Sequence, residues 1–166
     1  AGEPQAVPGT IGLVYSELSE VLSRLNLAGR DALEGSSFAW KERSDGNLDI
    51  TCPYRNTAQG QAPFDARGGR LPNVSSASLG LGLAYVHLRV RPGTSAGIAR
   101  FYREIFGAHA EEVDSNSGGA REAGAVVRVG PVQHLGFMEG EKALPTYDGH
   151  HICVYVTTEG GLKACR

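Results

Sequence analysis

Hydrophobic and polar residues alternate most clearly in the second half of the chain. From Ala84 to Val90 every second residue is apolar, which is typical of a strand that buries one face. The loop Arg91–Gly93 leads to a helix from about Thr94 to Phe106, and Gly107 stands where helices often end in a left-handed residue. The predicted buried face of this helix has the spacing i, i+3, i+4 and i+7 and consists of Ile98, Phe101, Tyr102 and Ile105.

Further strands are predicted after this helix, near residues 108–114, 123–129, 132–139 and 150–156. In the strand at 132–139, Leu135 and Phe137 point to one side, and the other side carries His134, Gly136 and Met138. Each strand thus has an apolar face suited to a helix and a polar face suited to a cavity. The pattern indicates an α+β module.

The first half of the chain repeats this order more weakly. A flexible lead, residues 1–9, precedes a short strand at 11–14 and a second helix with Ser16 or Ser19 as its cap. The apolar face of that helix again has the spacing i, i+3, i+4 and i+7 and consists of Leu18, Val21, Leu22 and Leu25.

A hairpin is predicted next, with strands at 38–40 and 48–51 joined by the turn Ser44–Asn47. From residue 57 to 77 the pattern fails. That stretch is polar and rich in Gly, Ser and Pro, so irregular structure is expected there.

Composition narrows the functional classes. The net charge of −2 gives no reason to expect nucleic acid as a partner. No apolar run approaches the roughly 20 residues that span a bilayer. The three cysteines have no CxxC spacing, which argues against a zinc ribbon or a disulfide framework. The chain begins at Ala1 with no leader-like segment, so a processed form or a piece of a longer protein is expected, in a compartment that the sequence does not indicate.

Known catalytic and nucleotide-binding motifs do not explain the chain. Gly80-Leu81-Gly82 precedes a strand and not a helix, so it is not a dinucleotide fingerprint, and no P-loop, GxSxG or HExxH occurs. The candidate chemistry lies instead on the polar strand faces, where three imidazoles fall on separate strands: His87, His134 and His151. Neutral imidazole is a good ligand for zinc, iron and nickel.

Three segments stand out, GLAYVHLRVRPGTSAGIARFYREIFGAHA, VQHLGFME and YDGHHICVYV. Together they resemble the vicinal oxygen chelate superfamily, which includes glyoxalases, bleomycin-resistance proteins and extradiol dioxygenases. GLAYVHLRVRPGTSAGIARFYREIFGAHA is similar to its opening strand and helix, with Phe101-Tyr102 and Phe106-Gly107 matching the FY…LG signature. VQHLGFME is similar to a closing strand, and YDGHHICVYV to the start of a further module. The resemblance covers residues 83–157, and SSFAWKERSDGNLDITCPYRN resembles the later strands of another copy.

The resemblance implies an α+β fold of paired βαβββ modules, with a mixed sheet curled into a cup and helices on the outer face. The domains expected from it follow the chain in this order: a flexible lead (1–9), a degenerate module (10–72), a linker (73–82), a well-formed module (83–139), and a turn with a trailing strand of a further or permuted module (140–166).

The resemblance also implies a divalent metal, one of Fe, Mn, Ni or Zn, with no other cofactor, and a substrate that chelates through neighbouring oxygens. By the family's register, His151 falls on an opening-strand ligand position and His134 on the closing-strand position. In the good module the opening-strand position is Tyr85, with His87 one pleat further along, and in the N-terminal copy it is Thr10. The metal ligands considered are His87, His134, His151 and, as a reserve carboxylate of the wrong strand parity, Glu139.

Several interpretations of these residues stay open. The histidines either hold a catalytic metal, line a pocket without metal, or are ordinary structural or surface residues. Arg89 either grips a substrate carboxylate or pairs with a buried acid, and Tyr85 either donates to a substrate oxygen or packs in the core. The chain is then either a metal-dependent lyase or dioxygenase, or a non-catalytic assembly module. Its expected partners are a small-molecule substrate and either further copies of itself or a larger complex, whose contact would cover the trailing strand.

Overall fold

A computed structural model describes residues 7–15, 17–28, 33–53, 63–68, 80–115, 122–130 and 133–144, together with the single residues 146, 149, 151 and 153. The chain divides into two compact units, Ala1–Val86 and His87–Arg166. The domain boundaries expected from the sequence stay a prediction.

The first unit combines one helix with a mixed sheet. Its elements are β1 (Gly9–Tyr15), α1 (Leu18–Ala28), β2 (Ala39–Glu42), β3 (Leu48–Thr51) and β4 (Pro63–Gly68). The strands lie in the order β2-β3-β4-β1, with β1 parallel to β4 and β3 antiparallel to both of its neighbours. A fifth strand, β5 (Gly80–Val90), crosses the division between the two units.

The predicted hairpin of the first unit is confirmed. β2 and β3 pair with Ala39 opposite Thr51, and the turn between them contains Gly46 at a φ of 78°. The backbone N–H of Asn47 donates to Asp45 Oδ1 over 3.1 Å, which closes an Asx turn. The local pattern of Asp, Gly and Asn therefore suffices to specify this connection.

The expected irregular structure from residue 57 to 77 is wrong at its centre, where β4 forms. This strand lies between two others, so that Phe64 is opposite both Ile11 of β1 and Ile50 of β3. Pairing on both edges satisfies the backbone N–H and C=O groups whatever the side chains are. A strand that its neighbours hold in this way needs no strong hydrophobic alternation, which explains why the pattern missed it.

The second unit combines one helix with a sheet whose last three strands are antiparallel to one another. Its elements are α2 (Ser95–Phe106), β6 (Ala110–Val113), β7 (Gly124–Arg128) and β8 (His134–Glu139), in addition to the end of β5. The strands follow the order β8-β7-β6, with β5 next to β8. Gly107 ends α2 at a φ of 62°, as predicted, and its N–H donates to the Arg103 carbonyl. The α+β class with a mixed sheet is confirmed.

The core of the second unit lies between α2 and the sheet. Ala99 and Val127 are fully buried, and the Tyr102 ring contacts the Phe137 ring at a centroid distance of 5.5 Å. The predicted helix face is wrong at Phe101, whose side chain is 49% exposed. α2 presents the small Ala99 to the sheet, and Phe101 lies about 200° further round the helix, on the other side.

The last predicted strand, 150–156, falls mostly outside the described residues. His151 and Cys153 are described, and neither belongs to a strand. In the part of the chain that the structure describes, no helix combines the length and the apolar character required to cross a membrane.

Candidate functional site

Two histidines of the second unit meet across neighbouring strands. His87 lies on β5 and His134 is the first residue of β8. Their Nε2 atoms are 3.0 Å apart, and the ring centroids are 5.2 Å apart at an interplanar angle of 46°. Both side chains are partly buried. Strand alternation predicted that the two rings share a face, and the structure brings them into direct contact.

A glycine that the sequence analysis did not single out makes room for this pair. A β-carbon on Gly136 would lie 2.4 Å from His87 Cδ2 and 2.9 Å from His87 Nε2. The Cδ2–Nε2 edge of the His87 ring therefore lies close to the backbone of β8 at Gly136, two residues along from His134. A glycine inside a strand often marks such a close approach. The signal available in the sequence was the position of Gly136, which lies on the same strand face as His134.

The separation of the two nitrogens suits two kinds of interaction. As a hydrogen bond, one imidazole donates its Nε2–H to the unprotonated Nε2 of the other. As metal ligands, two nitrogens bonded at about 2.1 Å to one ion and at right angles to each other stand about 3.0 Å apart. The separation thus matches two adjacent positions of an octahedral ion, whereas at the tetrahedral angle typical of zinc the nitrogens would stand about 3.4 Å apart.

The other predicted metal ligands do not join the pair. Within the described ranges, no three or more His, Cys, Asp or Glu side chains are grouped so that they could hold a metal ion. His151 is exposed and its Nδ1 lies 3.2 Å from the carbonyl oxygen of Gly149, to which the Nδ1–H tautomer donates. That part of the ligand prediction stays a prediction.

Glu139, at the end of β8, binds the start of α2. Its Oε1 accepts a hydrogen bond from the Ser95 backbone N–H over 2.9 Å and a second from the Ser95 hydroxyl. These two donors, with the backbone N–H groups of Gly93 and Thr94, lower the pKa of the Glu139 carboxyl from 4.5 to about 2, the Ser95 hydroxyl having the largest effect. The carboxylate thus caps the helix, whose N-cap residue Thr94 makes no side-chain capping bond of its own.

Stability is expected to fall with acid because of this carboxylate. A carboxyl whose pKa is depressed on folding stabilises the fold above its unfolded pKa, and this contribution is lost as pH falls from about 4.5 towards 2. Glu139→Gln should lower the free energy of unfolding at pH 7 by about 1 kcal/mol, as for other lost caps, and should flatten the slope in this window. Urea unfolding between pH 2 and 7 measures both effects. The exposed neighbour Glu141, replaced by Gln, should keep the wild-type slope, and equal slopes in all three proteins would refute the role of Glu139.

Tyr85, a predicted catalytic residue, lies in the core of the first unit. Its side chain is 3% exposed, and it packs on Gly12 of β1. A β-carbon on Gly12 would stand 2.2 Å from Tyr85 Cε1, so the ring lies directly on the strand backbone. This position favours the packing interpretation of Tyr85 over a role as donor to a substrate.

Arg89 follows His87 by two residues on β5 and is partly buried. Its side chain runs beside Gly140, where a β-carbon would lie 3.6 Å from Arg89 Cγ and 3.5 Å from Cδ. Alternation along a strand places Arg89 and His87 on one face. The structure thus keeps a cationic side chain on the same side of the sheet as the histidine pair.

Comparison with solved structures identifies the fold. The chain is similar to 2,2',3-trihydroxybiphenyl 1,2-dioxygenase from the dibenzofuran-degrading Sphingomonas wittichii strain RW1, with a TM-score of 0.50 and 14% identity over 85% of this chain and 42% of that chain. It is also similar to a catechol 2,3-dioxygenase, with a TM-score of 0.46 and 13% identity over 82% of this chain and 41% of that chain. The chain therefore spans less than half the length of either protein.

No family model matches the chain, and no curated protein matches it. The likeness to the first dioxygenase, at this low identity, is a likeness of fold. The observed order of elements in residues 83–139 also agrees with the order of strands and helix that the sequence predicted there. The chain therefore shares its fold with part of the trihydroxybiphenyl dioxygenase.

Proposed function

We propose that the chain is a vicinal-oxygen-chelate-type domain that binds a divalent metal ion through His87 and His134. The observation that supports this most directly is the 3.0 Å separation of their Nε2 atoms. Two neutral imidazoles are ligands that Fe, Ni and Zn accept. Gly136 supports the arrangement because its missing side chain lets the His87 ring lie within reach of His134.

The proposed substrate is a small molecule with two neighbouring oxygens, as the dioxygenase fold suggests. A bound divalent ion would act as a Lewis acid on those oxygens. The chain's own contribution is to hold two imidazoles on one face of the second unit and to fix their orientation. β8 supports this geometry because it carries His134 at one end and is tied to α2 through Glu139 at the other.

A second candidate function is a catalytically degenerate binding or assembly subunit of a larger complex. The observation that favours it is that the described residues offer two imidazoles but no group of three potential ligands. In that case the two histidines would form a hydrogen-bonded pair. The two candidates differ in one measurable property, which is the affinity of the purified chain for metal.

Metal titration of the purified chain tests the proposal. Calorimetric titration with Zn²⁺, Ni²⁺, Mn²⁺ and, without oxygen, Fe²⁺ should reveal one bound ion per chain, and metal analysis after dialysis should confirm the stoichiometry. Binding should weaken in acid, because protons compete with the metal for imidazole nitrogens. A chain that retains no stoichiometric ion under any of these conditions would exclude the metal site and favour the assembly role.

A further inference from the structure

Arg89 places a cationic side chain on the same strand face as the histidine pair. Successive β-carbons on one face of a strand are about 7 Å apart, so the Arg89 stem begins one pleat beyond His87. The stem lies along Gly140, whose hypothetical β-carbon would be 3.9 Å from Arg89 Nε. Gly140 is held to the same strand, because its N–H donates to the Val90 carbonyl over 3.1 Å. Two neighbouring strand ends thus hold the arginine stem.

The charge of this arginine is not balanced within the described part of the chain. The ion pairs found there belong to Arg24 and Arg43, and no hydrogen bond joins the Arg89 guanidinium to a described residue. The nearest acid along β8 is Glu139, whose carboxylate is already bound by Ser95 on the α2 side. A partly buried cation that has no anionic partner among the described residues carries a desolvation cost there, which an anionic ligand would offset.

We propose that Arg89 binds the carboxylate of a small ligand whose neighbouring oxygens reach the His87–His134 pair. This inference rests on the proposed metal-binding function and specifies its substrate class as vicinal-oxygen compounds that carry a carboxylate. The guanidinium offers two parallel N–H donors that match the two oxygens of a carboxylate. The spacing of one strand pleat suits a compact molecule such as a dihydroxybenzoate, in which the carboxylate is close to the paired oxygens.

Two ligands that differ only in the carboxylate test the inference. With metal bound, 2,3-dihydroxybenzoate should bind about tenfold or more tightly than catechol, the advantage expected for hydrogen bonds between charged groups. Arg89→Gln should reduce this ratio to about one while leaving the affinity for catechol and for the metal unchanged. Arg89→Lys should keep part of the preference, and Arg100→Gln, on the exposed side of α2, should keep all of it. Equal binding of the two ligands by the wild type, or an unchanged ratio in Arg89→Gln, would overturn the inference.

A measurement without metal separates this inference from the proposed function. The Nε–H resonance of Arg89, identified by its loss in Arg89→Gln, should shift when 2,3-dihydroxybenzoate is titrated into the metal-free chain at low salt, and should not shift with catechol. If this shift occurs in a chain that binds no metal, the carboxylate site stands and the metal proposal fails. If metal binds and the resonance does not respond, the metal proposal stands and the carboxylate site fails.

Discussion

Replacing either His87 or His134 by alanine is expected to lower the affinity for a divalent metal by at least about 100-fold. Loss of a residue that merely orients a metal ligand costs about 10- to 100-fold, and loss of the ligand itself removes a bond. The two nitrogens are 3.0 Å apart, so each variant takes away one of two adjacent donors. Competition against a chromophoric chelator measures the affinities. His109→Ala, at an exposed histidine after α2, is the matched control and should bind metal like the wild type.

A variant on the opposite strand tests the geometry without removing either imidazole. In Gly136→Ala, the new β-carbon would collide with His87 Cδ2 at 2.4 Å and with Met138 Cε at 2.6 Å. Both atoms lie near the ends of side chains, so the ring can swing away and separate from His134 while the strand remains. Metal affinity should therefore fall about 10- to 100-fold with a folded far-ultraviolet spectrum. Met138→Ala should leave the affinity intact, since it does not displace His87.

The outcome that would contradict the site is equally specific. If His87→Ala, His134→Ala and Gly136→Ala all bind metal as tightly as the wild type, any bound ion is held elsewhere. His151→Ala extends the test, because a loss as large as that of the pair would add His151 to the ligand set. Wild-type affinity in His151→Ala would limit the set to residues other than this one.

Among the variants proposed for this chain, Gly12→Ala is expected to cause the largest loss in the free energy of unfolding. Its β-carbon would stand 2.2 Å from Tyr85 Cε1, 2.4 Å from Cδ1 and 2.6 Å from Cζ. Since Tyr85 is 3% exposed, its ring is enclosed and has little room to move. Overpacking of this kind costs about 1–3 kcal/mol of the free energy of unfolding. Urea denaturation followed by circular dichroism gives the value.

Two further proteins make the test of Gly12 specific. Gly97→Ala is the matched control, because nothing lies within 4 Å of its hypothetical β-carbon in α2; it should gain about 0.5–1 kcal/mol from improved helix propensity. In a Tyr85→Ala background, adding Gly12→Ala should cost much less than it does alone, since the colliding ring is gone. Equal costs in the two backgrounds would show that the ring contact does not limit this position.

Local patterns predicted the regular elements of the second unit. The i, i+3, i+4, i+7 spacing predicted α2, and Gly107 predicted its C-terminal end. Both predictions succeed because helix formation and its left-handed termination depend on residues close in sequence. Alternation along β8 correctly placed Phe137 towards the helix and His134 away from it. The resemblance to vicinal oxygen chelate proteins rested on the same order of elements and predicted the fold class that the structure confirms.

Hydrophobic pattern alone failed where neighbours decide the structure. β4 has little alternation of its own and exists because β1 and β3 pair with both its edges. Phe101 has the spacing of a buried residue and is half exposed, because α2 turns the fully buried Ala99 towards the sheet. In both cases the deciding contact joins segments that are distant in sequence.

The sequence by itself determined the order of elements from β5 to β8, the shared strand face of His87 and Arg89, the opposite faces of His134 and Phe137, and the fold class. Tertiary structure alone decided which of those residues meet: His87 with His134, Glu139 with Ser95, and Tyr85 with Gly12. The physical reason is that periodicity specifies the direction of a side chain relative to its own strand or helix. Contact between residues 47 positions apart depends on how two strands align, and this follows from the packing of the whole unit.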